Sequence, residues 1–223
     1  MGNKNSDKKK ISADVPIILY HYWRSSASWR VRWAFAHKEI PIKKIAINLL
    51  NNEQYSPGFL AINPAGQVPA LVVDGRSFSE SMAMLEYIEE RFPQNPLLPS
   101  DLPSRMFVRE LCLTIIAGTH PLQNLLPQQR HSSDPIQRKE FAQFFIARGL
   151  QVYEQLIHKT AGTFSFGSQL TIADICLVPQ IYNACRYDVS LNDMPIIKRI
   201  YGHCRKLVSC SSSDPESHLE SKI

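Results

Sequence analysis

The chain has 223 residues, 44% of them hydrophobic and 20% charged, which is a typical globular composition and allows one large domain or two small ones. No apolar run approaches the roughly 20 residues of a membrane-spanning helix, and no segment has the pattern of a secretory signal. The net charge of +5 does not indicate a nucleic-acid-binding protein, because residues 1–10 carry +3 of it and no basic stripe interleaved with aromatic residues follows.

Cysteine and histidine usage predicts a reduced, cytoplasmic protein without a metal site. The five cysteines are odd in number and lie mostly in apolar helical patterns, which is typical of buried thiols. No CxxC pair occurs, and the seven histidines never fall four residues apart on one helix. We therefore expect no bound metal.

Residues 1–15 are predicted to be a disordered basic tail. The opening MGNKNSDKKK fits the N-myristoylation pattern, with Gly2 after the initiator methionine and Ser6 at the required spacing. The lysines behind it would supply the second signal that one acyl chain needs for stable attachment to a membrane. The alternative is a solvated tail without an acyl group, and membrane association is expected only if Gly2 is acylated. The intact mass of protein made in eukaryotic cells distinguishes the two.

Residues 16–92 alternate short strands with helices. Periodicity and turn residues predict strands at 17–20, 43–48, 67–73 and 77–79, and helices at 26–37, near 57–62 and at 81–91. This order resembles a thioredoxin-like domain. In that fold a valine–proline pair before a strand is normally a cis bond, so we expect one at Val68–Pro69, where it would turn the Val68 backbone towards a ligand. A proline on an edge strand is the alternative.

The rest of the chain reads as a linker followed by helices. Residues 93–103 hold four prolines and no periodicity, which is typical of a connection between domains. Helices are predicted at 104–124, 135–159, 171–184 and 194–207, and Thr171 and Asp174 have capping-box spacing. The serine-rich residues 208–223 are predicted to be a disordered tail. The expected fold class is therefore α/β plus all-α, with domains at 16–92 and 104–207.

Three hydroxyls lie where the first strand ends and the first helix begins, in the segment SSASWRVR at residues 25–32. The N-terminus of a helix has unpaired N–H groups and a partial positive charge, so it favours an anion beside it. A hydroxyl there can cap the helix, or it can donate a hydrogen bond to a bound anion such as a thiolate. The residue types alone leave both roles open.

The longer segment YHYWRSSASWRVRWAFAHKEIP is similar to the active-site signature of the zeta-class glutathione transferases, the maleylacetoacetate isomerases. Ala27 stands where the family has a cysteine. The resemblance covers residues 16 to about 207 and includes GTHPLQNLL and IADICLVPQIYNACRYDV. It implies an N-terminal thioredoxin-like domain followed by an all-helical glutathione transferase C-terminal domain. It also implies glutathione as the cofactor, and Ser25 and Ser26 as the catalytic residues.

The resemblance assigns residues to the rest of the tripeptide. Glu80 and Ser81, before the third helix, would hold the γ-glutamyl end, although the pair could be only an ordinary N-cap. Val68 would present its backbone N–H and C=O to the cysteinyl part, as an added strand does. Gln54 aligns with the family's glutamine near the glycyl end.

Four further residues are assigned in the same way. His120 and Asn124 occupy positions where the family contacts glutathione or the partner subunit. Glutamine is common at position 120, and a lone histidine could equally be a satisfied hydrogen-bonding residue. Arg186 matches the arginine that faces the substrate pocket, and Arg24 precedes the catalytic serine. A planar guanidinium binds both oxygens of a carboxylate, but either arginine could instead be a surface charge.

The family's reaction turns maleylacetoacetate into fumarylacetoacetate, a late step in tyrosine and phenylalanine breakdown. Addition of a thiolate turns the cis double bond into a single bond, rotation follows, and elimination gives the trans product. We expect Ser25, assisted by Ser26 and the dipole of the first helix, to keep glutathione ionised near neutral pH against a free thiol pKa of roughly 8.5. Arg186 would bind an acidic group of the substrate.

Other activities remain open at this level. The same thiolate could displace halide from α-halo acids or conjugate other small electrophiles. A protein that binds glutathione or another ligand with little turnover is the alternative, because Ala27 replaces the motif cysteine and a serine-rich tail replaces the family's usual ending. A thiol–disulfide oxidoreductase is disfavoured, since Ala27 leaves no sulfur in the active loop. By analogy with the family we expect a homodimer.

Overall fold

The computed structural model describes residues 16–218. The predicted basic tail, the acylation signal at Gly2 and residues 219–223 lie outside this part of the chain. Within it, no helix is both long enough and apolar enough to cross a membrane.

The first domain is a four-stranded sheet with three helices. The strand order is β2-β1-β3-β4, with β1 parallel to β2 and antiparallel to β3, and β3 antiparallel to β4. The predicted thioredoxin-like fold is confirmed, and the Val68–Pro69 bond is cis. The strands are β1 (Ile18–His21), β2 (Lys43–Ala46), β3 (Ala70–Val73) and β4 (Arg76–Phe78), and the helices are α1 (Ser26–His37), α2 (Pro57–Leu60) and α3 (Ser81–Arg91).

The second domain is entirely helical, as predicted. Helices α4 and α7 pack against each other, and α6 packs against both. The helices are α4 (Leu102–Ile116), α5 (Leu125–His131), α6 (Pro135–Ile157), α7 (Ile172–Arg186), α8 (Pro195–Cys204) and α9 (Val208–Ser211).

Helix α1 lies between the two domains. Nine of its twelve residues are buried, and it packs against α3 of its own domain and against α7 and α9 of the second. Trp29 and Trp33 have no exposed surface at all. The polar side chains on this helix must therefore find partners inside the protein, because water cannot reach them.

The predicted long helix at 104–124 is wrong. Helix α4 ends at Ile116, and a 3-10 turn covers His120–Gln123 before α5 begins. Pro121 explains the break, because proline has no N–H to donate into a helix and disfavours helical backbone at the residue before it. Gly149 of α6 leaves room for the resulting turn, since a Cβ there would overlap the Thr119 side chain. The turn brings the candidate histidine up to α1.

Helix α7 begins with the predicted capping box. The Asp174 carboxylate accepts hydrogen bonds from the backbone N–H of Thr171, at 2.9 Å, and of Ser165, at 2.7 Å. Burial raises the pKa of the Asp174 carboxyl, although these hydrogen bonds favour the charged form. The box fixes the start of the helix whose other end carries Asn183 and Arg186.

The predicted disordered tail from residue 208 is wrong for the part that the structure describes. Helix α9 packs against α1, and Ser213 and Asp214 are buried. The Ser213 carbonyl accepts a hydrogen bond from Arg32 Nε at 2.8 Å, and the Ser213 hydroxyl accepts one from the Trp29 indole at 3.3 Å. Composition predicts disorder here, but the buried donors of α1 need acceptors, and this segment supplies them.

Lys38, at the C-terminal end of α1, joins that helix to α3 and to the linker. Its side chain is fully buried, and its Nζ lies 2.8 Å from Glu89 Oε2. The same ammonium donates to the carbonyl oxygens of Phe92, Gln94 and Asn95 at 2.8, 3.0 and 3.2 Å. One buried cation therefore fixes three segments at the boundary between the domains.

We expect Lys38→Met to lower the free energy of unfolding by about 3 kcal/mol, because it leaves Glu89 as a buried charge without its cation. Urea unfolding followed by circular dichroism measures this. Lys139→Met is the matched control, since Lys139 pairs with Asp188 where 50% and 71% of the two side chains are exposed, and such pairs contribute less than about 1 kcal/mol. Equal effects of the two substitutions would contradict the assignment.

Candidate active site

The hydroxyls at the start of α1 have different environments. Ser25 is the N-cap, with its Oγ accepting a hydrogen bond from the Ser28 N–H at 3.1 Å, and it is only partly buried. Ser28 is fully buried and accepts from the Tyr22 N–H at 3.4 Å. Because Ser25 is an acceptor in its cap, its own proton is free for a ligand. Ser25 and Ser26 are the candidates for contact with an anion, and Ser28 is structural.

Ser26 is the meeting point of both domains. Its Oγ lies 3.2 Å from His120 Nδ1 and accepts a hydrogen bond from Asn183 Nδ2 at 3.1 Å. Asn183 in turn accepts from Arg186 Nη1 at 3.2 Å. The structure thus brings together Ser26, His120 and Arg186, which the sequence had proposed separately.

His120 is a neutral hydrogen-bond acceptor. Arg30 Nη2 and Gln123 Nε2 both lie 3.3 Å from its Nδ1, and since a guanidinium can only donate, Nδ1 carries the lone pair. Burial, together with the positive charge of Arg30, lowers the pKa of His120 to about 3. A ring with that pKa cannot be a general base near neutral pH. The departure from glutamine at this position therefore replaces one neutral side chain by another.

The start of α3 forms a second wall of the site. Ser81 is buried, with 4% of its surface exposed, and its Oγ accepts a hydrogen bond from Arg30 Nη1 at 3.2 Å. Glu80, at the N-cap position, is exposed and has φ +71°, a conformation that non-glycine residues rarely adopt. Backbone strain of this kind concentrates at ligand-binding sites. The pair has the form of a site for an amino-acid head group.

Gln54 and Val68 lie apart from the serine network. No hydrogen bond between described residues joins either of them to Ser26. Gln54 is 8% exposed, and its Oε1 is buried without a hydrogen-bond partner in the part of the chain that the structure covers. A buried amide oxygen in this state requires a donor, which a bound peptide could supply. Val68 precedes the cis proline, next to the buried Ala70 of β3.

The two candidate substrate arginines lie near one another. Burial, and next the positive charge of Arg24, lowers the pKa of Arg186. The Arg24 guanidinium lies 5.4 Å from the centre of the Trp23 ring. Between 16 and 218 neither arginine forms an ion pair with a carboxylate. Two neighbouring cations without a counter-ion favour a ligand with carboxylate groups.

Asn124, the remaining candidate, is exposed at the N-cap of α5, and its side chain makes no capping hydrogen bond.

The sequence missed several residues of this site. Asn183 and Gln123 hold Ser26 and His120, yet they lie 157 and 97 residues from Ser26 along the chain. Arg30 stands inside the recognised motif but had no role. The hydroxyl of Tyr22 is buried and unpaired within the described residues, although the side chain is near Arg186. Only Arg30 carried a signal, as one of two arginines that flank Val31 between the tryptophans of the first helix.

Two family models cover most of the chain. The model of "Glutathione S-transferase, N-terminal domain" matches residues 15–90, and that of "Glutathione S-transferase, C-terminal domain" matches residues 119–216. The chain belongs to the glutathione S-transferase family. The unpaired polar groups at Gln54 and Tyr22, and the hydroxyls at two helix N-termini, fit an anionic peptide such as glutathione.

Several similar members of the glutathione S-transferase family are named as isomerases. A Drosophila melanogaster protein named probable maleylacetoacetate isomerase 2 is 45% identical over 191 residues, which is 85% of this chain and 83% of that protein. The crystal structure of maleylacetoacetate isomerase from Anaeromyxobacter dehalogenans 2CP-1, with bound dicarboxyethyl glutathione and citrate in the active site, has a TM-score of 0.83 and 40% identity, covering 92% of this chain and 97% of that one. Maleyl pyruvate isomerase, a bacterial glutathione S-transferase in zeta class, has a TM-score of 0.86 and 32% identity over 90% and 98% of the two chains. The predicted zeta-class family is confirmed.

Proposed function

We propose that this chain catalyses the glutathione-dependent cis–trans isomerisation of maleylacetoacetate to fumarylacetoacetate. The observation that carries the proposal is the pair of hydroxyls at the start of α1, Ser25 and Ser26, of which Ser26 is connected through Asn183 to Arg186. An anion-binding helix end and a carboxylate-binding arginine thus belong to one network. The names and ligands of the similar proteins support the same activity.

Glutathione, when bound, supplies the thiolate whose reversible addition to the double bond allows rotation. The task of Ser25 and Ser26 is to donate hydrogen bonds to that sulfur, and the N-terminal charge of α1 acts in the same direction. Glu80 and Ser81 would bind the γ-glutamyl end, the Val68 backbone the cysteinyl part, and Gln54 the glycyl end. His120 and Asn124 would complete the glutathione site from the second domain.

The missing cysteine does not remove this machinery. The Ser26 hydroxyl accepts a hydrogen bond from Asn183 and lies against His120, and neither contact involves Ala27. The binding-only alternative is therefore less well supported than catalysis. The same thiolate would also attack small electrophiles such as α-halo acids, which makes glutathione transfer to them a secondary activity of the site.

Ser25→Ala should lower kcat/KM for the isomerisation of maleylacetone about 10²-fold, because it removes a hydrogen-bond donor to a developing or bound anion. A spectrophotometric assay with and without glutathione measures this. Asp134→Ala is the control, since it also removes an N-cap, that of α6, and it should leave turnover unchanged. Near-normal turnover in Ser25→Ala would reject the assignment.

Arg186→Ala should raise KM for maleylacetone about tenfold, because a hydrogen bond to a charged group is lost, while KM for glutathione stays the same. Steady-state kinetics with each substrate varied in turn separates the two constants. The exposed Arg148 on α6 provides the control substitution Arg148→Ala. If Arg186→Ala raised only the KM for glutathione, Arg186 would belong to the glutathione subsite and the assignment would be wrong.

We also propose that the protein is a homodimer, with α4 at the interface. Leu102, Met106 and Leu113 are 78%, 71% and 48% exposed and line a groove of about 560 Å³. Two-fold association would bury the same apolar face on both copies. In sedimentation equilibrium, Met106→Glu should shift the protein towards monomer, whereas Ile136→Glu, which changes an equally exposed residue of α6, should not. A wild-type chain that sediments as a monomer contradicts the proposal.

A cytoplasmic location is the last part of the proposal. The five cysteines are all free, and four of them are buried. Reduced thiols are typical of proteins in a reducing compartment. Fractionation of the source cells tests this, and recovery in a secreted or membrane fraction would contradict it.

A further inference from the structure

Arg30 is a buried guanidinium without a carboxylate partner. It lies on α1 with 1% of its surface exposed. Among residues 16–218, no carboxylate lies within ion-pair distance of it. The ionisable groups close to it that can carry negative charge are the thiols of Cys112 and Cys176, which are buried as well. An uncompensated charge in the interior is costly, and such groups concentrate at functional sites.

Arg32 shows how a structural arginine is held in this same helix. It is 3% exposed and donates to the backbone carbonyl oxygens of Ser213 and Trp23 at 2.8 and 3.0 Å. Burial lowers the pKa of Arg32 to about 9, and the negative charge of Asp214 opposes that shift. Arg30 has neither a carbonyl acceptor nor a carboxylate of this kind. Hydrogen bonds to acceptors inside the protein therefore explain why Arg32 is buried, but they do not explain why Arg30 is.

The contacts that Arg30 does make join the two parts of the glutathione site. Its Nη1 donates to Ser81 Oγ at 3.2 Å, and its Nη2 donates to His120 Nδ1 at 3.3 Å. His120 Nδ1 in turn lies 3.2 Å from Ser26 Oγ. Arg30 Nε is buried and has no partner among the residues described. Arg30 therefore contacts Ser81 of α3 directly and Ser26 of α1 through His120.

These contacts decide where the hydroxyl protons point. Ser81 Oγ receives a hydrogen bond from Arg30, so the Ser81 proton is available to a ligand. His120 Nδ1 has a single lone pair, and for it the charged donor on Arg30 is favoured over the two neutral donors within reach, Gln123 Nε2 and the Ser26 hydroxyl. Ser26 Oγ already accepts from Asn183 Nδ2. With its acceptor role taken and Nδ1 occupied, the Ser26 hydroxyl is left to donate to the ligand.

We propose that Arg30 is a positioning residue that turns the hydroxyl protons of Ser26 and Ser81 towards the thiolate and the γ-glutamyl carboxylate of bound glutathione, whose negative charges supply the counter-charge that the guanidinium lacks. The inference rests on the proposed function, because it takes glutathione as the ligand. It gives His120 a role as well, which is to accept from Arg30 and so free Ser26.

The test compares two properties of bound glutathione in wild type, Arg30→Met and Arg30→Lys. The first is the pKa of its thiol, read from the ultraviolet absorbance of the thiolate during a pH titration. The second is the Kd of a tripeptide in which 2-aminobutyrate replaces cysteine, read by calorimetry. Arg30→Met should raise the thiol pKa by about one unit and weaken the thiol-free tripeptide about tenfold. Arg30→Lys, which keeps the charge, should restore part of both.

Arg105→Met is the matched control, since Arg105 is a partly buried arginine of α4 that donates to the Pro99 carbonyl, and it should change neither property. An unchanged thiol pKa and an unchanged Kd in Arg30→Met would overturn the proposal while glutathione binding by the wild type stands. Wild-type protein that binds glutathione without isomerising maleylacetone would reject the proposed function. The thiol pKa and the Kd of the thiol-free tripeptide would then still decide whether Arg30 positions the two hydroxyls. A wild type that binds neither tripeptide would overturn both.

A measurement on the wild type alone covers the case in which Arg30→Met does not fold. Nitrogen-15 NMR of histidine-labelled protein at neutral pH should find His120 with an unprotonated Nδ1 and a protonated Nε2. The same state should persist when glutathione is added. Protonation at Nδ1 would show that the nitrogen donates rather than accepts, and the proposed arrangement of protons would be wrong.

Discussion

Helix α1 is closed off from water along most of its length, although it carries serines, arginines and a lysine among its tryptophans. A buried polar group must be paired within the protein, and this requirement decides what surrounds the helix. Ser26 is met by His120 from the second domain, Arg32 by Ser213 from the C-terminal segment, and Lys38 by Glu89 of α3. The apolar side chains bring the two domains together, and the polar ones fix how they meet.

The same requirement separates the structural residues of α1 from the functional ones. Lys38 lies against Glu89 and carbonyl oxygens, and Arg32 donates to carbonyl oxygens, with Asp214 partly opposing the lowering of its pKa by burial. Arg30 is surrounded by a hydroxyl, an imidazole and thiols, which compensate it poorly. In the proposed function, the negatively charged ligand supplies the missing partner, and the N-termini of α1 and α3 add to the positive potential of the site.

The contribution of the second domain is one of geometry. Pro121 prevents a continuous helix here, and Gly149 of α6 leaves room for the Thr119 side chain beside the resulting turn. As a result, His120 reaches Ser26 from a distant part of the chain. Asn183 approaches the same hydroxyl from α7, whose start is fixed by the Asp174 capping box. Neither residue reacts in the proposed chemistry. Their proposed effect is to direct the hydroxyl proton of Ser26 towards the ligand.

The sequence by itself determined the fold class, the family and the proposed anchors Ser25, Ser26 and Ser81, because short-range periodicity and the motifs at the starts of α1 and α3 depend on neighbouring residues alone. Only the tertiary structure decided that residues 208–218 are ordered, since the acceptors they offer have value only opposite the buried donors of α1. It also decided the partners of Ser26 and the isolation of Arg30. Hydrogen bonds between residues about ninety or more positions apart leave no local pattern, and a charge that lacks a partner can be recognised only when everything around it is in place.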